Sequence, residues 1–218
     1  MDKNKAVALT RDFYLKTQEY FNRSRQHHWQ GWDKLLPHLR SRTSQAPLTV
    51  LDLGCGNGRF GKWLARHRQI NYTGLDDNQY LLDVAAKILP DAKLLRADIL
   101  KPLPISGHFD LVTILGVMHH LSQPDRLPLI RRAATRLAPK GILFLSFWEF
   151  TRAHDSKIIK DLGDNDYLLD WQMGVTAERY CHFYPDEEIA GLVQGSDLTV
   201  SADFCADTSN RYLLLSLK

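Results

Sequence analysis

The segment Val50-Leu51-Asp52-Leu53-Gly54-Cys55-Gly56-Asn57-Gly58 places three glycines at alternate positions behind an apolar run. Glycine removes the side chain where a backbone must turn tightly and approach a ligand. The N–H groups of such a loop, with the helix that follows, are expected to offer partial positive charge to an anionic group. The spacing is not the dinucleotide fingerprint, and no Gly-Lys-Ser/Thr follows to make a triphosphate loop. Asp76 comes 22 residues after Gly54, at the end of the next apolar run, with Asp77 beside it. A carboxylate there can accept both hydroxyls of a ribose. Asp98, in Arg96-Ala97-Asp98-Ile99, can accept from an adenine amino group while the next backbone N–H reaches a ring nitrogen. A single aspartate at a strand end is also a common helix N-cap. Three such signals in order point instead to an adenosine-bearing cofactor.

A second group of residues could position an acceptor. Arg25, Arg179 and His182 are candidates for holding an anion, either an acceptor or the cofactor's carboxylate. Arg179 could equally sit in a surface ion pair. The adjacent His119 and His120 raise the question of a metal. No carboxylate or cysteine lies at helical spacing from them, so no metal site is expected, and His120 is placed at the rim of an acceptor pocket or in a structural hydrogen bond. Trp29, Trp148, Trp171, Tyr167 and Tyr180 could wall a pocket for a base, or simply pack in the core.

These residues need a scaffold, and the hydrophobic rhythm supplies one. Residues 5–40 carry apolar side chains at spacings near three and four and read as helix. Beyond a polar break at Ser41–Pro47 the rhythm alternates between strand and helix. Strands are expected at Leu48–Leu53, Ile70–Leu75, Ala92–Arg96, Phe109–Leu115 and Ile142–Phe147, and helices at Gly58–His67, Asn78–Leu89 and Pro124–Leu137. Such alternation predicts a parallel sheet covered on both faces. Residues 149–181 break the rhythm and read as a polar insertion over the sheet's C-terminal edge, where ligands of open α/β sheets sit. A helix near Pro185–Val193 and a hairpin, Leu198–Phe204 with Arg211–Leu217, close the chain. The domain reading is therefore one unit: a helical cap (1–46), a cofactor core (48–147), a substrate-side insertion (148–183) and a terminal helix with its hairpin (184–218).

Composition fits one α/β domain of 218 residues. No apolar run is long enough to span a bilayer and no secretory leader is apparent, so no membrane partner is expected. Three scattered cysteines suit a reducing, cytoplasmic setting rather than a disulfide framework. Residues 1–70 hold 13 basic and 5 acidic side chains, and the remainder 15 basic and 20 acidic. A basic half can attract an anionic partner such as RNA, or be no more than the solvated face of amphipathic helices.

Residues 50–58, Gly74-Leu75-Asp76, Asp98-Ile99, Phe109–Val112 with Val117–Leu121, and the turn Leu137–Gly141 resemble, in order, the motifs of class I S-adenosylmethionine-dependent methyltransferases. The resemblance covers about residues 48–147. It implies a Rossmann-like, mostly parallel seven-stranded sheet with an antiparallel C-terminal strand and helices on both faces. It also implies S-adenosyl-L-methionine held by Arg25, Asp52, Gly54, Cys55, Gly56, Asn57, Asp76, Asp77, Asp98, Ile99 and Leu115.

A narrower resemblance links Phe21-Asn22-Arg23-Ser24-Arg25 with Trp29, Asp166–Trp171, Arg179-Tyr180-Cys181-His182-Phe183 and Asn210-Arg211-Tyr212 to the tRNA wobble-uridine carboxymethyl methyltransferases. Cys181 stands where that family's Arg-Tyr-Tyr-His signature has an aromatic, and Asp170 where it usually has proline. The resemblance implies methyl-ester formation on a modified tRNA uridine. Trp148, Trp171 and Tyr180 would lie at the substrate, and His120, Arg179 and His182 would position the acceptor. Activity in that family can depend on a small zinc-containing partner protein. A small-molecule O- or C-methyltransferase is the alternative.

Overall fold

A computed structural model describes residues 3–40, 46–150 and 157–218. Residues 41–45 of the polar break and 151–156 of the insertion lie outside the described residues.

The central sheet has seven strands. Five come from the repeating part of the chain: β1 (Leu48–Leu53), β2 (Ile70–Asp76), β3 (Lys93–Arg96), β4 (Phe109–Ile114) and β5 (Leu137–Trp148). β9 (Leu198–Ala206) and β10 (Asn210–Leu217) form the hairpin. Their spatial order is β3-β2-β1-β4-β5-β10-β9. All neighbours are parallel except β10, which runs antiparallel to both β5 and β9. The order reverses beside β1, so the C-terminal ends of β1 and β4 flank a crevice of the kind that receives ligands in open α/β sheets.

Strict alternation builds the layers. Val50, Leu111, Phe144 and Leu214 face one core with Trp32, Phe60 and Trp63. Leu51, Val112, Leu145 and Leu213 face the other with Leu129, Ile130 and Ile189 from the flanking helices. Both faces are buried, which is why these strands read as continuous apolar runs. The helices are α3 (Arg59–Ala65), α4 (Gln79–Ile88), α5 (Gln123–Ala134) and α6 (Asp186–Gly195).

Three expectations need correction. The helix predicted over 5–40 is two helices, α1 (Lys3–Ser24) and α2 (Leu36–Arg40), joined by a 3-10 turn at Gln30–Leu35. Ser24 Oγ donates to Phe21 O and Gln26 Nε2 donates to Asn22 O, so side chains take up the last carbonyls and end α1. β5 starts at Leu137, before the Pro139-Lys140-Gly141 turn, which it absorbs as an irregularity with Lys140 at φ 65°. The polar insertion is a three-stranded antiparallel sheet of β6 (Ile158–Gly163), β7 (Asp166–Trp171) and β8 (Ala177–His182). Its first hairpin turns on Asp164 and Asn165, both at positive φ, as a two-residue primed turn requires. Phe13 of α1 packs on Trp171 and Ala177 of this sheet. The helix and the small sheet thus form one lid over the crevice.

Candidate functional site

A cavity of about 740 Å³ lies between the crevice and the lid. Its floor is the loop after β1. Gly54, Gly56 and Gly58 have φ of 78°, 53° and 73°, left-handed values that glycine adopts without strain. A Cβ on Gly54 would lie 2.4 Å from Val117 Cγ2, whereas one on Gly56 would meet nothing within 4 Å and project into open space.

The expected anion cradle is not formed by these N–H groups. Gly54 and Cys55 donate to Leu75 O, Gly58 donates to Cys55 O, and Gly56 donates to Asp76 Oδ2. The loop spends these donors on its own turn. Nor is α3, at seven residues, long enough to supply a substantial dipole. What it presents to the cavity is backbone surface rather than positive charge.

Carboxylates dominate this half of the cavity. Asp76 Oδ1 accepts from Asn78 N at 2.9 Å and Oδ2 from Gly56 N at 2.8 Å, which pins the side chain at the end of β2. Burial pushes its pKa up to about 6, against the two backbone hydrogen bonds. Asp98 Oδ1 accepts from Leu100 N, and its Oδ2 lies 2.9 Å from Arg11 Nη2. Asp52 is buried beneath the loop, accepting from Tyr72 Oη at 2.5 Å and Thr113 Oγ1 at 2.6 Å. Cys55, Asn57, Asp77, Ile99 and Leu115 also line the cavity. Asn57 Nδ2 donates to Asn22 Oδ1 and Arg25 O, tying the glycine loop to the end of α1.

The other half is cationic and aromatic. Arg179, on β8, is 6% exposed and lies 4.6 Å from the ring centroid of Trp148, 5.4 Å from that of Phe13 and 5.7 Å from that of Trp171. Its Nε is buried without a hydrogen bond. Arg25 stacks on Phe21 and Trp171, and its pKa is lowered by burial and then by Arg179. Among the described residues neither guanidinium has a carboxylate partner. His120 Nδ1 lies 3.0 Å from Tyr180 O and its Nε2 lies 3.1 Å from Tyr14 Oη. The carbonyl can only accept, so Nδ1 carries the proton and Tyr14 donates to Nε2. Burial, with Arg179 adding to it, lowers the His120 pKa to about 3 and also drives His119 down, so both rings are neutral.

Most residues expected at the site meet here: Arg25, Arg179, His120, Trp148 and Trp171 all line the cavity with the cofactor set. Two do not. His182 is 1% exposed and lies outside the lining, with Asp166 Oδ1 at 2.8 Å from Nδ1 and Glu188 Oε2 at 2.9 Å from Nε2. Tyr180 is also fully buried away from the cavity and donates to Asp166 Oδ1 at 2.6 Å. β8 explains both. Alternate residues of a strand face opposite ways, so Arg179 enters the cavity while Tyr180 and His182 face the protein. Arg126 of α5 completes their network by reaching Asp166 and Glu188. Against burial, which would raise it, hydrogen bonds from His182 and Tyr180 hold the Asp166 pKa at about 2.

Arg11 and Tyr14 were not foreseen. They lie three apart on the inner face of α1, where a basic and a hydroxyl-bearing side chain interrupt an apolar stripe. That interruption is the signal that could have marked them.

A family model described as a methyltransferase domain matches residues 21–202. The chain belongs to this methyltransferase family. It is 28% identical over 197 residues to a protein of Encephalitozoon cuniculi designated a methyltransferase, with 86% of each chain aligned. It is 24% identical over 176 residues to the tRNA (carboxymethyluridine(34)-5-O)-methyltransferase of Saccharomyces cerevisiae, spanning 78% of this chain and 60% of that one. A magnesium protoporphyrin IX methyltransferase from Synechocystis PCC 6803, solved with bound SAH, shares its fold with a TM-score of 0.74 at 18% identity, each chain covered in full. This methyltransferase has no described helix long and apolar enough to cross a membrane.

Proposed function

We propose that the methyltransferase uses S-adenosyl-L-methionine to esterify a carboxylate carried on a stackable ring, and that this ring is a modified wobble uridine of tRNA bearing a carboxymethyl group. The observation that carries the acceptor class is Arg179. It is a buried cation with no carboxylate partner among the described residues, it stands among three aromatic rings, and Arg25 faces the same space. A buried charge is costly unless it is paired, so the missing partner is expected to arrive with a ligand. The tRNA assignment draws support from the yeast relative and from the basic N-terminal third.

The residues of the other half fit the cofactor. The open, left-handed Gly56 leaves space that any side chain would fill, and a pinned carboxylate stands beside it. Asp76 and Asp98 would take the ribose hydroxyls and adenine amino group, and Arg25 the amino-acid carboxylate. When bound, the cofactor supplies an electrophilic methyl group on a sulfonium. A loop that turns its N–H groups inward suits a cationic donor better than a phosphate.

The chain's own task is alignment. A carboxylate acceptor is ionised near neutral pH, so no general base is needed. Arg179 orients it, Trp148 and Trp171 hold the ring and exclude water, and the neutral His120 keeps Tyr14 in place. Incubation with methyl-labelled cofactor and total tRNA, followed by nucleoside mass spectrometry, tests the reading. A methyl ester on a uridine derivative is expected. No methylated nucleoside, even with candidate small zinc-containing partner proteins added, would move the acceptor to a small molecule.

A further inference from the structure

His119 and His120, which line the cavity, meet Cys181, which does not. They come from the turn after β4 and from β8, more than 60 residues apart in sequence, and one ligand-capable atom of each lies within 4.8 Å of the others. All three are buried. The absence of a helically spaced third ligand, which argues against a metal when the sequence is read alone, is answered by the fold: the small sheet brings Cys181 to the histidine pair.

Two independent features suit a metal. His119 Nδ1 is a buried polar atom with no hydrogen-bond partner, the kind of group that native interiors leave only for a reason. His120 is held the way metal-ligating histidines are held, with Nδ1–H donated to the Tyr180 carbonyl, which leaves Nε2, now accepting from Tyr14, as the ligand atom. His119 and His120 line the cavity, which gives an ion its route in.

We propose that His119, His120 and Cys181 form a binding site for a soft-to-borderline transition metal, zinc in the first instance. Two imidazoles and one thiolate match the ligand preference of zinc and leave one position open. Binding through His120 Nε2 would displace the Tyr14 hydroxyl, which now sits 3.1 Å from that atom. Tetrahedral binding would draw the three ligand atoms to roughly 3.5 Å from one another, a shift that side-chain rotation can supply. Binding would release one proton from the Cys181 thiol. This site does not depend on the identity of the methyl acceptor.

The test is cobalt and zinc binding by the whole purified chain. One equivalent of Co²⁺ is expected to give thiolate-to-metal charge-transfer absorption in the near ultraviolet, and Zn²⁺ to displace it. Cys181→Ala should abolish that absorption, and His119→Ala should weaken zinc binding by roughly tenfold or more. Cys205→Ser, at an exposed position on β9, should change neither. Circular dichroism would show that each variant folds, and His119→Ala keeps the test decisive if Cys181→Ala does not. Absence of stoichiometric binding to the wild-type chain would overturn the proposal, as would charge-transfer absorption that survives loss of Cys181 or zinc affinity unchanged by loss of His119. Cofactor calorimetry on the same samples separates this outcome from failure of the methyl-transfer reading.

Discussion

Arg11 reaches from α1 across the cavity mouth to Asp98, with Nη2 2.9 Å from Oδ2, while its Nε lies 2.8 Å from Asp77 Oδ2. One lid residue thus bridges two carboxylates of the cofactor half. The bridge is partly exposed, so it is worth at most about 1 kcal/mol to stability. Its importance lies in where it sits: in the proposed cofactor pose an adenine would reach Asp98 only by displacing or sharing Arg11. Arg11→Ala is expected to leave the melting temperature almost unchanged and to speed both association and dissociation of S-adenosylmethionine. Stopped-flow fluorescence would measure both rates, and unchanged rates would show that the bridge is not a latch.

Asp76, the proposed ribose contact, is expected to make cofactor binding depend on pH. Its folded pKa, raised to about 6 by burial, exceeds the ordinary carboxylate value. The folded free protein therefore holds this proton more tightly than the unfolded chain. The Asp76 contribution to stability is greatest at low pH and declines as pH rises through the interval from about 4 to about 6. Cofactor affinity is expected to run the opposite way, because in the proposed contact the ionised group accepts both ribose hydroxyls. Calorimetry is expected to show affinity rising with pH to a plateau above about 6, with proton release on binding below it. Asp76→Asn should lower the affinity and remove the inflection. An inflection that persists in that variant would assign it to another group.

Arg179 should separate acceptor use from cofactor binding. Charged hydrogen bonds contribute about 1.5–3 kcal/mol, so Arg179→Ala is expected to lower kcat/KM for the acceptor roughly 10- to 100-fold while the cofactor Kd stays within about twofold. Arg179→Lys should restore little, since an ammonium does not stack among aromatic rings as a guanidinium does. Equal loss of transfer and cofactor binding would place Arg179 in the cofactor half.

His182 should behave as a structural residue. Removing one member of a buried hydrogen-bonded network leaves a buried polar group unsatisfied, at a cost of about 1–3 kcal/mol. His182→Ala is expected to lower thermal stability, since Asp166 and Glu188 keep Arg126 but lose the imidazole that both also contact. Any residual folded fraction should bind cofactor with near wild-type affinity. A stable His182→Ala protein with abolished transfer would return His182 to the chemistry.

How much of this was legible in the sequence depends on the range of the signal. Gly54, Gly56, Asp76 and Asp98 follow strands whose apolar runs announce them, so local pattern alone brings them to one edge. The lid is different. Tyr167, Leu169 and Trp171 do alternate, yet the strand they form is short and charged, and its polarity hid the small sheet. Tyr180 and His182 were misplaced for a related reason. A signature read as a string does not say which face of a strand is inside, and Arg179, Cys181 and their neighbours point opposite ways. Arg11 and the meeting of Cys181 with His119 and His120 come from tertiary packing between distant elements, which no spacing in the chain encodes.

The most direct measurement is the alkali lability of the transferred methyl group. The chain would be incubated with methyl-labelled S-adenosylmethionine and total tRNA, with candidate partner proteins present, and the RNA then treated with mild base. Label is expected in the RNA, released as methanol by the base, and greatly reduced with Asp76→Ala and Arg179→Ala. Label that resists alkali, or no transfer to any RNA, would contradict a carboxylate acceptor on a tRNA uridine.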